Sequence, residues 1–166
     1  KAKNPIIKKA NDPKLKSFNK AVHEVLLNLA KQVAFDGEGA SKFIIINCKK
    51  CKSDKDAKNI SFSIANSLLV KTAIAGEDPN WGRIAMAIGK SNGKIDEKKL
   101  SIFIGPYKIF FKGSLYEKYD EKRVSEYMKN ESIEITTEIG TGKKSFTAYT
   151  MDLTKKYIEI NADYRT

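Results

Sequence analysis

The chain has 166 residues, 41% hydrophobic and 31% charged, with a formal charge of +11. That is enough apolar material for one core, so a single domain is the starting expectation, and no apolar run nears the length of a bilayer span. Its arginines are Arg83, Arg123 and Arg165 alone, the other cations being lysines spread along the whole length; groove readers favour arginine's planar fork, so the charge reads as solvated faces and not as a nucleic-acid footprint. The chain has no signal-peptide pattern, internal repeat or low-complexity linker.

In chain order, Asn11-Asp12-Pro13 reads as a helix start, with Asp12 as cap and Pro13 at the first helical position. Leu15, Phe18, Val22, Val25, Leu26, Leu29 and Val33 follow at three- and four-residue steps and make one apolar stripe. His23 lies beside that stripe and reads as a surface residue. The stripe stops at Asp36-Gly37, where glycine in the left-handed conformation would end the helix. Residues 43–48 are β-branched and short, as in a buried strand. Ser53 and Asp56 open a second helix with Ala57, Ile60, Ile64 and Leu68 inward.

Asp78-Pro79-Asn80 is a turn, after which Asn80 caps a helix through residues 83–88. Residues 100–104 and 108–112 are strand-like and turned by Gly105-Pro106; Asp120 caps a short helix carrying Val124, Tyr127 and Met128. Residues 133–139 and 144–153 alternate cleanly and read as a hairpin around Gly140-Thr141-Gly142. The tail after Thr154 reads as a short helix. Helices mixed with such strands make the chain α+β, a mixed or antiparallel sheet packed with helices.

Cys48 and Cys51 form a C-x-x-C, but a zinc site needs four ligands and His23 is the only histidine. No metal site is expected, and two bystander thiols at a strand end fit a reducing cytoplasm. No credible Ser-His-Asp set or paired carboxylates appear, so no catalytic residue is assigned within the chain. Gly37-Glu38-Gly39 places a carboxylate between two glycines just past a helix end. It reads either as a group held where a ligand approaches closely or as a plain helix stop.

Residues 70–91 are the densest stretch, gathering Lys71, Thr72, Glu77, Asp78, Asn80, the only tryptophan, Trp81, and Arg83. The residues alone allow a capped helix start with Trp81 as core anchor, or a site-lining loop. Lys71-Thr72-Ala73-Ile74-Ala75-Gly76-Glu77-Asp78-Pro79-Asn80-Trp81-Gly82-Arg83-Ile84 closely resembles the signature of the ornithine acetyltransferases, or bifunctional glutamate N-acetyltransferases, of arginine biosynthesis. Leu29-Ala30-Lys31-Gln32 running into Asp36-Gly37-Glu38-Gly39-Ala40-Ser41-Lys42-Phe43 is similar to the same family. So are Ile64-Ala65-Asn66-Ser67 and the closing Asp152-Leu153-Thr154 with Tyr157-Ile158-Glu159-Ile160-Asn161-Ala162-Asp163-Tyr164-Arg165-Thr166. The likeness runs from about Asn4 to the last residue.

The resemblance implies a self-processing ornithine acetyltransferase-like fold of which residues 1–166 are the C-terminal, substrate-binding portion of the β chain. Family members cut themselves before a threonine whose hydroxyl then carries the acetyl group, activated by a nearby base, while the other half supplies an oxyanion pocket. That threonine lies upstream, and a chain opening on Lys1 instead of Met is expected to be a piece of such a protein, inactive alone. Glu38, Asn161 and Thr166 match family positions that contact substrate. The implied activity is ping-pong acetyl transfer from N2-acetylornithine to glutamate, with no cofactor and with acetyl-CoA as an added donor in bifunctional members. The implied partner is the α chain in an α2β2 heterotetramer in the cytoplasm, without nucleic acid or membrane. Two other readings are kept: a stand-alone basic binding module that retains the fold without catalysis, and a related self-processing amidase-type hydrolase.

Overall fold

The computed structural model describes residues 6–163. The chain divides into two compact units, one ending at Val33 and the other beginning at Ala34. The first carries a 3-10 turn, Pro13–Leu15, and most of helix α1, Lys16–Phe35, whose last two residues belong to the second. Asp12 accepts the Lys14 N–H at 2.9 Å, the capping expected from Asn-Asp-Pro. Phe18, Val25, Leu26, Leu29 and Val33 of the α1 stripe are exposed, and so is His23.

The second unit contains, in order, β1 (Phe43–Cys51), α2 (Asp54–Ala65), α3 (Leu68–Ala75), α4 (Trp81–Gly89), β2 (Ser101–Ile104), β3 (Tyr107–Phe111) and β4 (Ser114–Leu115). It continues with α5 (Glu121–Tyr127), β5 (Ser132–Glu138), β6 (Lys144–Met151) and α6 (Lys155–Ala162). The six strands form one sheet in the order β4-β3-β2-β5-β1-β6. β1 and β5 run parallel, and every other neighbouring pair is antiparallel. The α+β class with a mixed sheet is therefore what the chain adopts.

The expected β5–β6 hairpin does not form. β1 lies between the two strands, with Ile46 opposite Ile135 on one side and Ala148 on the other. Two alternating strands joined by Gly-Thr-Gly mimic a hairpin, but the apolar run Phe43-Ile44-Ile45-Ile46 needs a neighbour on both edges. Gly142 shows how the crossing is made. A Cβ there would meet the Cys51 carbonyl oxygen at 1.8 Å, so the connection passes against the β1 backbone where only glycine fits.

Ile44, Ile46 and Cys48 point to one face of β1 and are fully buried; α2 lays Ala57, Ile60 and Ile64 on the β1–β6 side of the sheet. With Ile102, Ile104, Ile133 and Ile135 this makes an isoleucine-rich core, each fully buried side chain contributing about 1.5–3 kcal/mol. On the other face, Phe43 stacks on Tyr149 at 5.9 Å, and Asn47 links Glu134 and Thr147 by hydrogen bonds of 2.7 and 2.8 Å. Leu68 does not continue the α2 stripe as expected. Asn66 ends α2, and the Ser67 side chain accepts the Val70 N–H to start a separate helix, α3, leaving Leu68 exposed.

The Gly76–Arg83 connection is tied to the sheet by an ion pair. Lys42 Nζ, its side chain only 8% exposed, meets Glu77 Oε1 at 3.1 Å and donates to the Asn130 carbonyl at 3.3 Å. Glu77 holds a left-handed backbone, φ 56°, which a side-chain-bearing residue adopts only when its surroundings hold it there. Glu77→Gln would leave a buried ammonium without its counter-charge. Because Glu77 is itself 42% exposed, the expected loss is about 1–2 kcal/mol, at the low end for broken buried pairs. Lys42→Met is expected to cost less in the same denaturant titration; a larger loss for Lys42→Met would remove the ion pair from the account.

Candidate functional site

The Gly37-Glu38-Gly39 loop is wedged between two elements. A Cβ on Gly37 would meet Met151 Sδ at 1.6 Å, and a Cβ on Gly39 would meet the Tyr157 backbone nitrogen at 2.6 Å. Gly39 is the left-handed residue, φ 69°, whereas Gly37 has no positive φ. The glycine after α1 is thus needed for room and not for a left-handed helix stop, which corrects the sequence expectation. The Thr154 hydroxyl donates to the Gly39 carbonyl, locking the loop to the entry of α6.

That packing carries Glu38 to Asn161, 123 residues away along the chain. Asn161 Nδ2 donates to Glu38 Oε2 at 2.8 Å and to the Tyr157 carbonyl, one turn back on α6, at 2.9 Å. The reverse amide orientation would set an oxygen against two acceptors, so this orientation is chemically required. Both amide hydrogens are then engaged, leaving Asn161 Oδ1 and Glu38 Oε1 as acceptors on exposed side chains. A pair that presents only acceptors, one of them anionic, suits an ammonium group. Thr166, the third residue expected here, and its proposed anchor Tyr164 lie outside the described residues.

Beneath the loop sits a carboxylate that the sequence reading gave no role. Asp152 is 2% exposed and accepts from the Ser41 N–H at 2.8 Å, the Ser41 hydroxyl, and the Lys42 N–H at 3.1 Å. Its own N–H donates to the Lys42 carbonyl at 3.1 Å, and the next residue, Leu153, donates to the Lys71 carbonyl at 3.3 Å. Asp152 therefore clips the end of β6 to the start of β1, and Leu153 ties the same end to α3. The only signal for it was its place before Leu153-Thr154 at a strand end. Burial holds the nearby Lys71 ammonium below the ordinary lysine value, with the Asp152 carboxylate working against that shift. A recess of about 490 Å³ opens alongside, lined by Thr72, Ala75, Gly76, Leu153, Thr154, Lys155 and Ile158.

In the dense stretch after Val70, Asn80, Trp81 and Arg83 are engaged within the fold. Asn80 Oδ1 caps α4 by accepting the Arg83 N–H at 3.1 Å, and Arg83 Nη1 donates to the Leu69 carbonyl at 3.0 Å and to Thr72 Oγ1 at 3.3 Å. Trp81 stacks on Phe110 with centroids 5.2 Å apart. Cys48 and Cys51 are buried free thiols 3.3 Å apart, and burial pushes both thiols up, so neither is a ready nucleophile. Among the described residues no group of three or more His, Cys, Asp or Glu side chains is placed to hold a metal, and no helix is long and apolar enough to cross a membrane.

Two measurements follow from this geometry. Gly39→Ala forces both a left-handed alanine and a backbone clash, and is expected to cost at least about 2 kcal/mol, more than Gly37→Ala, whose obstacle is a flexible methionine. Equal losses for the two in denaturant unfolding would contradict the wedge. Because the folded state lowers the Lys71 pKa, the unfolded chain binds more protons at alkaline pH. Stability is therefore expected to rise as pH climbs through the lowered value toward the ordinary 10.5. Lys71→Met should flatten that rise relative to the parent chain, and identical pH slopes would refute the assignment.

A sequence model of the ArgJ family matches residues 2–166. The chain is 50% identical over 162 residues, 98% of its length, to the arginine biosynthesis bifunctional protein ArgJ of Nitrobacter winogradskyi, and 46% identical over 165 residues to that of Zymomonas mobilis. It spans 39% and 40% of those two curated relatives. The crystal structure of arginine biosynthesis bifunctional protein ArgJ from Bacillus halodurans superimposes with a TM-score of 0.88 at 34% identity, covering 95% of this chain and 74% of that one. The likeness reaches across both glycine-flanked loop and closing helix, and the chain belongs to the ArgJ family.

Proposed function

We propose that this chain forms the amino-acid-recognition part of an ornithine acetyltransferase that moves acetyl from N2-acetylornithine to glutamate. The observation that carries the reading is the Glu38–Asn161 pair, which joins two distant segments through a contact of 2.8 Å and offers acceptors to an α-ammonium. Acetylornithine has its α-nitrogen acylated, whereas the ornithine product and the glutamate acceptor both present an α-ammonium. A carboxylate that accepts one amide hydrogen can hold that cation by a charge-assisted bond. The neighbouring amide oxygen fixes its direction, as in substrate positioning generally.

The reacting group is a threonine on polypeptide outside these 166 residues. Its hydroxyl oxygen attacks the acetyl carbonyl, the C–N bond breaks, and ornithine leaves carrying the hydroxyl proton. Glutamate's free amine then attacks the acetyl-threonine ester, and the threonine hydroxyl is regenerated. Thr166 would add a hydroxyl, and a carboxylate where the chain ends, to the same pocket. Acetyl-CoA is a second acetyl donor in this scheme, and no cofactor takes part. The assembly is an α2β2 heterotetramer with the α chain of the same precursor, in the cytoplasm, and the chain alone turns nothing over. The printed name bifunctional of the curated relatives supports a second activity, and their length, more than twice that of this chain, supports a reacting group on polypeptide outside it.

The test uses the complete protein. Incubation with N2-acetylornithine is expected to leave one acetyl group on a threonine, seen by mass spectrometry. Glu38→Gln and Asn161→Ala should raise the KM for glutamate roughly ten- to a hundredfold with a smaller change in kcat, the pattern for lost ground-state binding. Absence of an acetylated threonine would overturn the chemistry, and an unchanged KM in both variants would overturn the recognition role.

A further inference from the structure

At the opposite side of the sheet from the Glu38 loop's strand entry, where β1 and β5 end and β2 begins, a recess of about 480 Å³ is lined by Lys50, Lys98, Lys99 and Lys112. Glu138 is the one carboxylate in its wall. Tight backbone delivers these lysines. Lys50 and Lys112 are left-handed, φ 59° and 50°, the second followed by Gly113 at φ 85°, and Lys98 and Lys99 close the 3-10 turn Glu97–Lys99. Lys50 lies at the register shift near the end of β1, Lys98 and Lys99 just before β2, and Lys112 just after β3, so four cations converge on a concavity.

Half of that charge is compensated. Lys50 Nζ lies 2.8 Å from Glu138 Oε2, and Lys99 Nζ lies 3.1 Å from Asp96 Oδ2. Lys98 and Lys112 have no carboxylate partner among the described residues. Lys112 instead sits 5.2 Å from the centroid of the Phe111 ring, over which Lys108 already stands at 4.0 Å. The wall also carries hydroxyls: Ser101 Oγ accepts the Lys112 N–H at 3.2 Å, and Thr141 borders the opening. Lysine on a convex face is satisfied by water. Two unmatched ammonium groups facing one recess repel each other, and a compact ligand with more than one negative charge relieves that repulsion.

We propose that this recess binds a diphosphate group, free or carried by a nucleotide, with Lys98 and Lys112 as its main counter-charges. Its volume fits a small phosphorylated molecule, and the lysines converge on one hollow instead of following a stripe, as they would for a nucleic-acid strand. Phe111, half-buried in the wall, offers a ring face if the diphosphate brings a base.

Isothermal titration of the protein with sodium pyrophosphate, ADP and orthophosphate tests this. Saturable binding of pyrophosphate or ADP is expected, tighter than orthophosphate and weakened by added salt. Lys98→Gln with Lys112→Gln should weaken it roughly five- to tenfold, the loss for removing two exposed charged contacts. Lys14→Gln with Lys16→Gln, elsewhere on the chain, should leave it unchanged. Tighter ADP than pyrophosphate identifies a nucleotide ligand, and the reverse order identifies the free anion. No saturable binding of either, or equal loss in both double variants, overturns the proposal. Neither result bears on acetyl transfer from N2-acetylornithine, which carries no phosphate and is read by a different assay.

Discussion

The arrangement depends on where the carboxylate of Asp152 puts its hydrogen bonds. It collects three donors from Ser41 and Lys42 while almost wholly removed from water, and a buried carboxylate is tolerable only when its lone pairs are filled in this way. The consequence is geometric. The chain leaving Gly39 and the chain entering α6 are held side by side, so the Thr154 hydroxyl reaches the Gly39 carbonyl and the α6 backbone rests against a residue that has no Cβ. Glu38 and Asn161 meet because their supports are fastened, although both side chains are exposed.

Fastened supports matter for recognition, since exposed polar side chains without them would lose affinity to their own rotamer freedom. Asn161 spends one amide hydrogen on its own helix and the other on Glu38, which fixes the amide plane and leaves an oxygen outward. The result is a small acceptor surface beside a recess bearing Thr72, Thr154 and Lys155. In the loop through Glu77, Asn80, Trp81 and Arg83 each side chain is engaged in an ion pair, a cap, a stack or a carbonyl contact within the fold.

Local signals in the sequence located most elements. Asp12, Ser53, Asn80 and Asp120 each cap the helix or turn they were expected to cap, because capping needs only the residues within one turn. Gly105-Pro106 turns β2 into β3, with Gly105 at φ 55°. What local reasoning missed is non-local. Strand pairing is chosen by which neighbours bury both edges of Phe43-Ile44-Ile45-Ile46, and that decision placed β1 inside an apparent hairpin. The break at Asn66-Ser67 was missed because Ile64 and Leu68 keep helical spacing across it. Of the site, Asn161 was legible only through motif likeness, whereas Glu38 was also marked by its two flanking glycines. Nothing in spacing could bring residues 123 positions apart together, and Asp152 is invisible until its donors are seen.

The most direct measurement is the structure of the complete protein with ornithine or glutamate bound. The account predicts the α-ammonium within hydrogen-bonding distance of Glu38 Oε1 and Asn161 Oδ1, with the Asn161–Glu38 bond retained. A bound amino acid whose ammonium lies against other residues, with Glu38 and Asn161 facing bulk water, would contradict it.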